Sequence, residues 1–211
     1  KTIKGKKYAF RDDGRMIDGL KFIKKTSTGL SVCADDDSAH PFDTEDDFIK
    51  SATEYYANNG YRCYYFGDGE DGAMRTDKTS ITIDGDKFSF LFEKSGANKG
   101  AGKTGIKDDK IYQSGMLLTA GKDEKYQVVQ LVTSTATGEN KTTDYTYNKL
   151  EDVAAFLEVM GLDAAGSGDV TDAKIEKLKG FDVSKKKDDL SELYIVNDAY
   201  VKDDAVKDAK Y

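Results

Sequence analysis

The chain contains no tryptophan, one proline, one histidine and two cysteines in 211 residues. Two cysteines permit a single disulfide at most, and neither a disulfide scaffold nor a four-cysteine zinc site is available. Positive charge is in deficit, with 32 Lys and Arg against 39 Asp and Glu and a net charge of −7. That balance lacks the basic footprint of a nucleic-acid-binding surface. No apolar run approaches the roughly 20 residues that cross a bilayer, so no membrane span is expected. The first residue is Lys1 rather than Met, as in a mature or trimmed segment, so the lack of a signal peptide is uninformative. Nothing resembles a phosphate-binding loop, a zinc site or a paired-carboxylate centre, and no cofactor and no metal are expected.

What the chain has instead is 20 glycines, 13 tyrosines and 10 phenylalanines. Many glycines with almost no proline point to tight turns between strands. The turns recur with a pattern. Ile3-Lys4-Gly5-Lys6-Lys7-Tyr8-Ala9-Phe10 matches Ile83-Asp84-Gly85-Asp86-Lys87-Phe88-Ser89-Phe90. Tyr64-Tyr65-Phe66 is the aromatic part of another copy with its leading turn rewritten, and Ile106 to Ile111 is a worn one. Downstream, Gly14-Arg15-Met16 matches Gly72-Ala73-Met74, with Gly115-Met116 a shortened form, so three of the four methionines share one place. Tyr64 to Phe88 is a step of 24 residues and Phe88 to Ile111 one of 23. Concordant turns, aromatics and period identify a repeat.

Each copy reads as a short hairpin. Lys4-Gly5 and Asp84-Gly85 supply the positive φ angles of a two-residue turn, and the alternating aromatics mark one face of a strand. A lone two-stranded hairpin is marginal in water. Stacked copies bury one another's aromatics and methionines, so the expected fold is mainly β with some α, a β-solenoid-like array of β-hairpin repeats.

The unit resembles the Gram-positive cell-wall-binding repeat, the family of choline-binding and glucan-binding modules. The residues that carry the resemblance are Gly5-Lys6-Lys7-Tyr8-Ala9-Phe10 with Asp13-Gly14-Arg15-Met16-Ile17-Asp18-Gly19-Leu20. Tyr64-Tyr65-Phe66 with Asp71-Gly72-Ala73-Met74-Arg75-Thr76, and Thr104-Gly105-Ile106, extend it over about residues 1 to 130. The resemblance implies an exported, cell-wall-associated module in which ligands sit between adjacent hairpins, held by aromatic side chains. The departures are specific. Lys7, Cys63, Lys87 and Lys110 stand where the family has one tryptophan, and Leu20 and Ile106 where it has another. Without tryptophan the cation–π cage for choline cannot form as the family builds it, and lysine there would repel the cation, so choline is not the expected ligand. Sugar stacking on Tyr8, Tyr64 or Tyr65 stays open, beside the plainer reading that these aromatics seal the core. Phe10 and Phe88 belong to the same aromatic set, and Lys7 and Lys87 are candidate contacts to an anionic polymer such as teichoic acid. An exported protein also permits Cys33 and Cys63 to form a disulfide, although the pair could equally stay reduced.

Residues 1–147 are thus read as the hairpin region, interrupted by a loop-helix insertion at about 24–59. In it, Thr44-Glu45-Asp46-Asp47 resembles a capping box, and Phe48, Ile49, Ala52, Tyr55 and Tyr56 form an apolar helical stripe that Asn58-Asn59-Gly60 ends. Tyr126–Thr133 and Thr142–Tyr147 read as paired strands. Residues 148–211 form an α/β tail: a helix capped by Asn148, a linker-like Ala164 to Gly168, and a strand at Leu193–Val196.

Two stretches carry residues capable of chemistry. Cys33 and His40 lie seven residues apart with carboxylates between them, but nucleophile and base normally meet through the fold, so the segment reads as a surface loop and no catalytic residue is assigned. The acidic turns around Asp12, Asp36 and Asp71 miss the spacing of a calcium loop, and Asp and Gly suit turns for backbone reasons alone. The reading is a non-catalytic surface module that attaches to cell-wall polysaccharide or teichoic acid. The alternative is a structural spacer or host-interaction surface whose repeats have lost their ligand sites. A pull-down on purified walls separates the two.

Overall fold

A computed structural model describes residues 1–32, 42–58, 60–67, 69, 71–108, 110–121, 127–135, 143–150 and 193–196. Over these the fold is mainly β, with one short α-helix and four small sheets. The strands are β1 (Thr2–Ile3), β2 (Lys6–Lys7), β3 (Leu20–Lys25), β4 (Leu30–Val32), β5 (Arg62–Tyr65), β6 (Asp77–Ile83), β7 (Asp86–Phe92), β8 (Gly105–Lys107), β9 (Lys110–Gln113), β10 (Met116–Leu117), β11 (Gln127–Thr135), β12 (Thr143–Leu150) and β13 (Leu193–Val196). Helix α1 (Glu45–Ala52) lies between β4 and β5.

The expected two-residue turns are present. Lys4 and Gly5 (φ 48° and 79°) join β1 to β2, and Asp84 and Gly85 (φ 50° and 84°) join β6 to β7. Positive φ at both central residues gives the turn a twist that matches the flanking strands, which is why Asp-Gly and Lys-Gly occupy these corners. Ser114 and Gly115 (φ 49° and 104°) repeat the device between β9 and β10. Sheet order is β6-β7-β10-β9-β8 in the largest sheet, β4-β3-β5 in a second, β12-β11-β13 in a third, and β1-β2 stands alone.

The insertion lies inside the second hairpin, not between two copies. Ile3 faces Lys6 across the first turn and Ile83 faces Asp86 across the third. Ile23 likewise faces Arg62, with Phe22 opposite Cys63. Everything from Lys24 to Tyr61 therefore replaces a two-residue turn, and β3 is the leading strand of the second copy, the one whose turn is rewritten. A long excursion between two strands adds little closure entropy, and its own core offsets that cost.

That core is aromatic. The Thr44 hydroxyl accepts from the Asp47 amide at 3.1 Å, so Thr44 caps α1 as expected, with Glu45, Asp46 and Asp47 at the positive end of the helix. Phe48, Ile49 and Ala52 are buried. The Phe48 ring meets Phe42 at 5.2 Å, Phe90 at 5.4 Å and Phe22 at 5.7 Å, the first two edge-to-face, a favoured ring geometry. The helix passes into a π-helical turn over Thr53–Asn58, which carries Tyr55 to within 5.7 Å of Phe22. Gly60, at φ 71°, ends the segment, and the Tyr61 amide donates to Tyr55 O at 2.9 Å.

The chain divides into two compact units, Lys1–Lys107 with Tyr112–Leu117 and Thr133–Thr146, and Asp108–Ile111 with Leu118–Val132 and Tyr147–Tyr211. The first holds the hairpins and the aromatic core. In the second, β11 pairs antiparallel with β13, Val129 opposite Tyr194, so Leu193–Val196 is the strand its sequence suggests. Gln127, buried there, donates to Leu150 O at 2.7 Å. Strand β12 runs through Asn148 to Leu150, so Asn148 is not a helix cap. The alternation Thr143-x-Tyr145-x-Tyr147 simply continues at period two. The tail helix and linker expected after Leu150 fall outside the described residues.

Candidate functional site

The site is built by a hydrogen-bond pattern that repeats from one hairpin to the next. After its aromatic strand each copy turns and returns one short segment antiparallel to it. The Ile17 amide donates to Ala9 O at 2.9 Å, the Arg75 amide to Tyr65 O at 2.7 Å, and the Lys103 amide to Leu91 O at 2.9 Å. Two further bonds link a copy to its predecessor: the Met74 amide donates to Lys7 O and the Gly102 amide to Cys63 O, both at 2.8 Å. Lys7 and Cys63 therefore occupy one structural place, and Met74 and Gly102 another.

Methionine and glycine pack in the same relay. A Cβ at Gly72 would collide with the thioether of Met16, and one at Gly100 with that of Met74. Each methionine lies over the turn glycine of the following copy. At the third copy the relay stops, because the Met position holds Gly102, where any Cβ would meet the Ser114 carbonyl. The sequence shows the start of this copy, Ile83 to Phe90, and its end, Thr104-Gly105-Ile106, but not the stretch between. The preceding Gly100-Ala101-Gly102 is Gly-x-Met with its methionine removed.

Counting bonds rather than turn-to-aromatic spacing shifts the third copy by two residues. Phe10 bridges Met16 and Phe92 bridges Gly102, so Phe92, not Phe90, matches Phe10. The arms of the third hairpin, β6 and β7, are each seven residues long. An arm can lengthen by two residues and keep every side chain on its face. Phe88 and Lys87 consequently sit further out, opposite Ile81 and Thr82.

Between the first and second copies the first unit holds a half-open cavity of about 260 Å³. Tyr8 and Tyr64, both half-buried, line it, together with the apolar Ile23, Leu30, Phe66 and Met74. Phe66 and Ile23 are core residues, and Tyr64 stacks on Phe66 at 6.3 Å. Exposed Lys1, Lys7, Lys25 and Lys99 line it too, with Thr2 and Ala9, and no carboxylate among the described residues contributes to it. Burial pushes the Tyr64 phenol up, the Arg62 charge opposing it, so the hydroxyl is a neutral donor and acceptor at physiological pH.

Of the residues singled out in the sequence, Lys7, Tyr8 and Tyr64 meet at this cavity. The others do not. Tyr65 is buried and stacks on Phe92 at 6.3 Å, Phe10 pairs with Met16, and Phe88 and Lys87 belong to the third hairpin. Cys63 is a free, fully buried thiol whose pKa burial pushes well up, while Cys33 and His40 lie outside the described residues. The acidic turns spend carboxylates on arginine: Asp13 accepts from the Arg15 amide at 2.9 Å and its side chain at 2.7 Å, and Asp71 pairs with Arg75. Lys25, Lys99, Ile23 and Leu30 were missed because β3, β4 and the segment before Gly100 reach the cavity only through the fold.

Comparison with known proteins returned no match: no family model, curated sequence or solved structure resembles the chain closely enough to carry an argument. No helix among the described residues is long and apolar enough to cross a membrane.

Proposed function

We propose that the chain is a non-catalytic, extracellular, cell-wall-associated module that holds wall polysaccharide or teichoic acid in the cavity between its first two hairpin copies. The copies act as stacked repeats of the kind found in cell-wall-binding modules. The observation that carries the reading is the convergence of Tyr8 and Tyr64, from equivalent strands of successive copies, on one cavity. Tyrosine suits this role, because its ring covers the apolar face of a sugar and its hydroxyl bonds to the sugar's own hydroxyls. About 260 Å³ accommodates one ring or a short polyol, not an extended chain, so a polymer would be gripped at a single unit.

The test is retention on purified Gram-positive walls. Wild-type protein should be retained, and Tyr8→Ala or Tyr64→Leu should each lower retention at least several-fold while leaving the thermal unfolding midpoint of the half-exposed Tyr8 variant within a few degrees. A second reading, a spacer or host-interaction surface, draws support from Tyr65 and Phe10, which serve packing between strands. Absence of retention on walls with and without teichoic acid would leave that reading in place of the first.

A further inference from the structure

We infer that the cavity recognises a phosphate-bearing sugar or polyol, the ring or chain lying against Tyr8 and Tyr64 and the phosphate held by Lys7, Lys25 and Lys99. This rests on the reading above and names the chemistry of its ligand. Three elements far apart in sequence deliver the three lysines: the first hairpin, the end of β3, and the turn that follows β7. None of the three makes an ion pair among the described residues, although other exposed lysines do, Lys6 with Asp71 and Lys94 with Asp77, as does the half-buried Lys103 with Glu93. With Lys1, which also lines the cavity, these like charges around one opening repel one another, and no carboxylate among the described residues lines the cavity to relieve them. An anion there removes the repulsion.

The side-chain types favour phosphate over carboxylate. A planar carboxylate is matched by the fork of an arginine, and no arginine among the described residues lines the cavity. Lysine ammoniums approaching from separate directions are point charges, which suit a tetrahedral group with several oxygens. A quaternary ammonium is disfavoured twice, by the lysines and by the absence of tryptophan, the strongest cation–π partner. The neutral Tyr64 hydroxyl adds a donor that an anion accepts without competition from a phenolate.

The test is a titration of the full chain with a short poly(glycerol phosphate) oligomer, its phosphate-free polyol and a polyuronate oligomer, at low and high salt. The phosphate oligomer should bind, and the neutral polyol should bind at least tenfold more weakly. Lys7→Gln, Lys25→Gln and Lys99→Gln should each weaken binding about threefold, the size expected of an exposed charge pair. The triple variant should weaken it about thirtyfold if the sites act independently. These lysines are exposed, so the variants should fold. Equal binding of the neutral polyol would overturn the inference and leave the tyrosine-based reading standing. Equal binding of the polyuronate, or binding of the phosphate oligomer unchanged in the triple variant, would also overturn it. Failure of every probe together with failure to be retained on walls would remove both readings.

Discussion

Glycine and methionine at the repeat positions are complementary halves of one contact. Gly72 has φ 51° and no room for a Cβ beneath Met16. Gly72→Ala therefore adds a left-handed alanine, at about 1 kcal/mol, to an overpacked contact of about 1–3 kcal/mol. Denaturant titration should show the sum, and adding Met16→Ala should recover the packing part alone. Gly102→Met makes the converse point. It restores the repeat's own residue, yet it should destabilise by at least about 2 kcal/mol, because the Ser114 carbonyl occupies the space. A stabilised Gly102→Met variant would mean the copies differ less than the bonding pattern indicates. Cys63 offers a third check. Its buried thiol should resist alkylation until the chain is unfolded, and stability should be lost as pH rises above about 9, where the unfolded thiol ionises and the folded one does not. Alkylation in the native state at neutral pH would contradict the burial of that strand.

At the scale of elements, local signals were legible wherever the chemistry was local. Asp84-Gly85 announces its hairpin and Thr44 its helix, because a turn or a cap is settled by a few neighbouring residues. Thr44→Ala should cost about 1 kcal/mol. Phe48→Ala should cost about 3–5 kcal/mol, because that ring joins the insertion to the hairpin aromatics. Urea unfolding of the two variants measures both, and a Phe48→Ala cost no greater than that of Thr44→Ala would mean that the helix folds without docking. Illegible in the sequence was the partner of β5. A strand whose first residue, Arg62, pairs with Ile23 39 residues upstream, beyond a helix, leaves no spacing signal, so the insertion looked like an interruption between copies rather than an expanded turn. The two-residue lengthening of β6 and β7 was hidden for a related reason, since the strand period is satisfied at either register.

For the whole molecule, a net charge of −7 and a cavity lined by four lysines point opposite ways. The net charge acts over distances that physiological salt screens beyond about 8 Å, whereas the lysines act at contact. Contact should prevail, so wall retention should fall as salt rises. Retention that rises with salt would show that long-range repulsion dominates and that the lysines do not touch the polymer. Lys7 was visible in advance because it stands at a repeat position. Lys25 and Lys99 were not, since nothing in their own segments distinguishes them from other exposed lysines.

By itself the sequence determined that this is a mainly β chain built on tight glycine turns and recurring aromatics, because turn conformation and strand alternation depend on residues that are neighbours in the chain. Tertiary structure alone decided which copies touch, where the insertion belongs and which aromatics remain half-exposed. Tyr8 and Tyr65 look alike in the sequence, yet one lines a cavity and the other stacks on Phe92. The difference comes from inter-strand bonds such as that from the Met74 amide to Lys7 O, which fix how one hairpin lies upon the next.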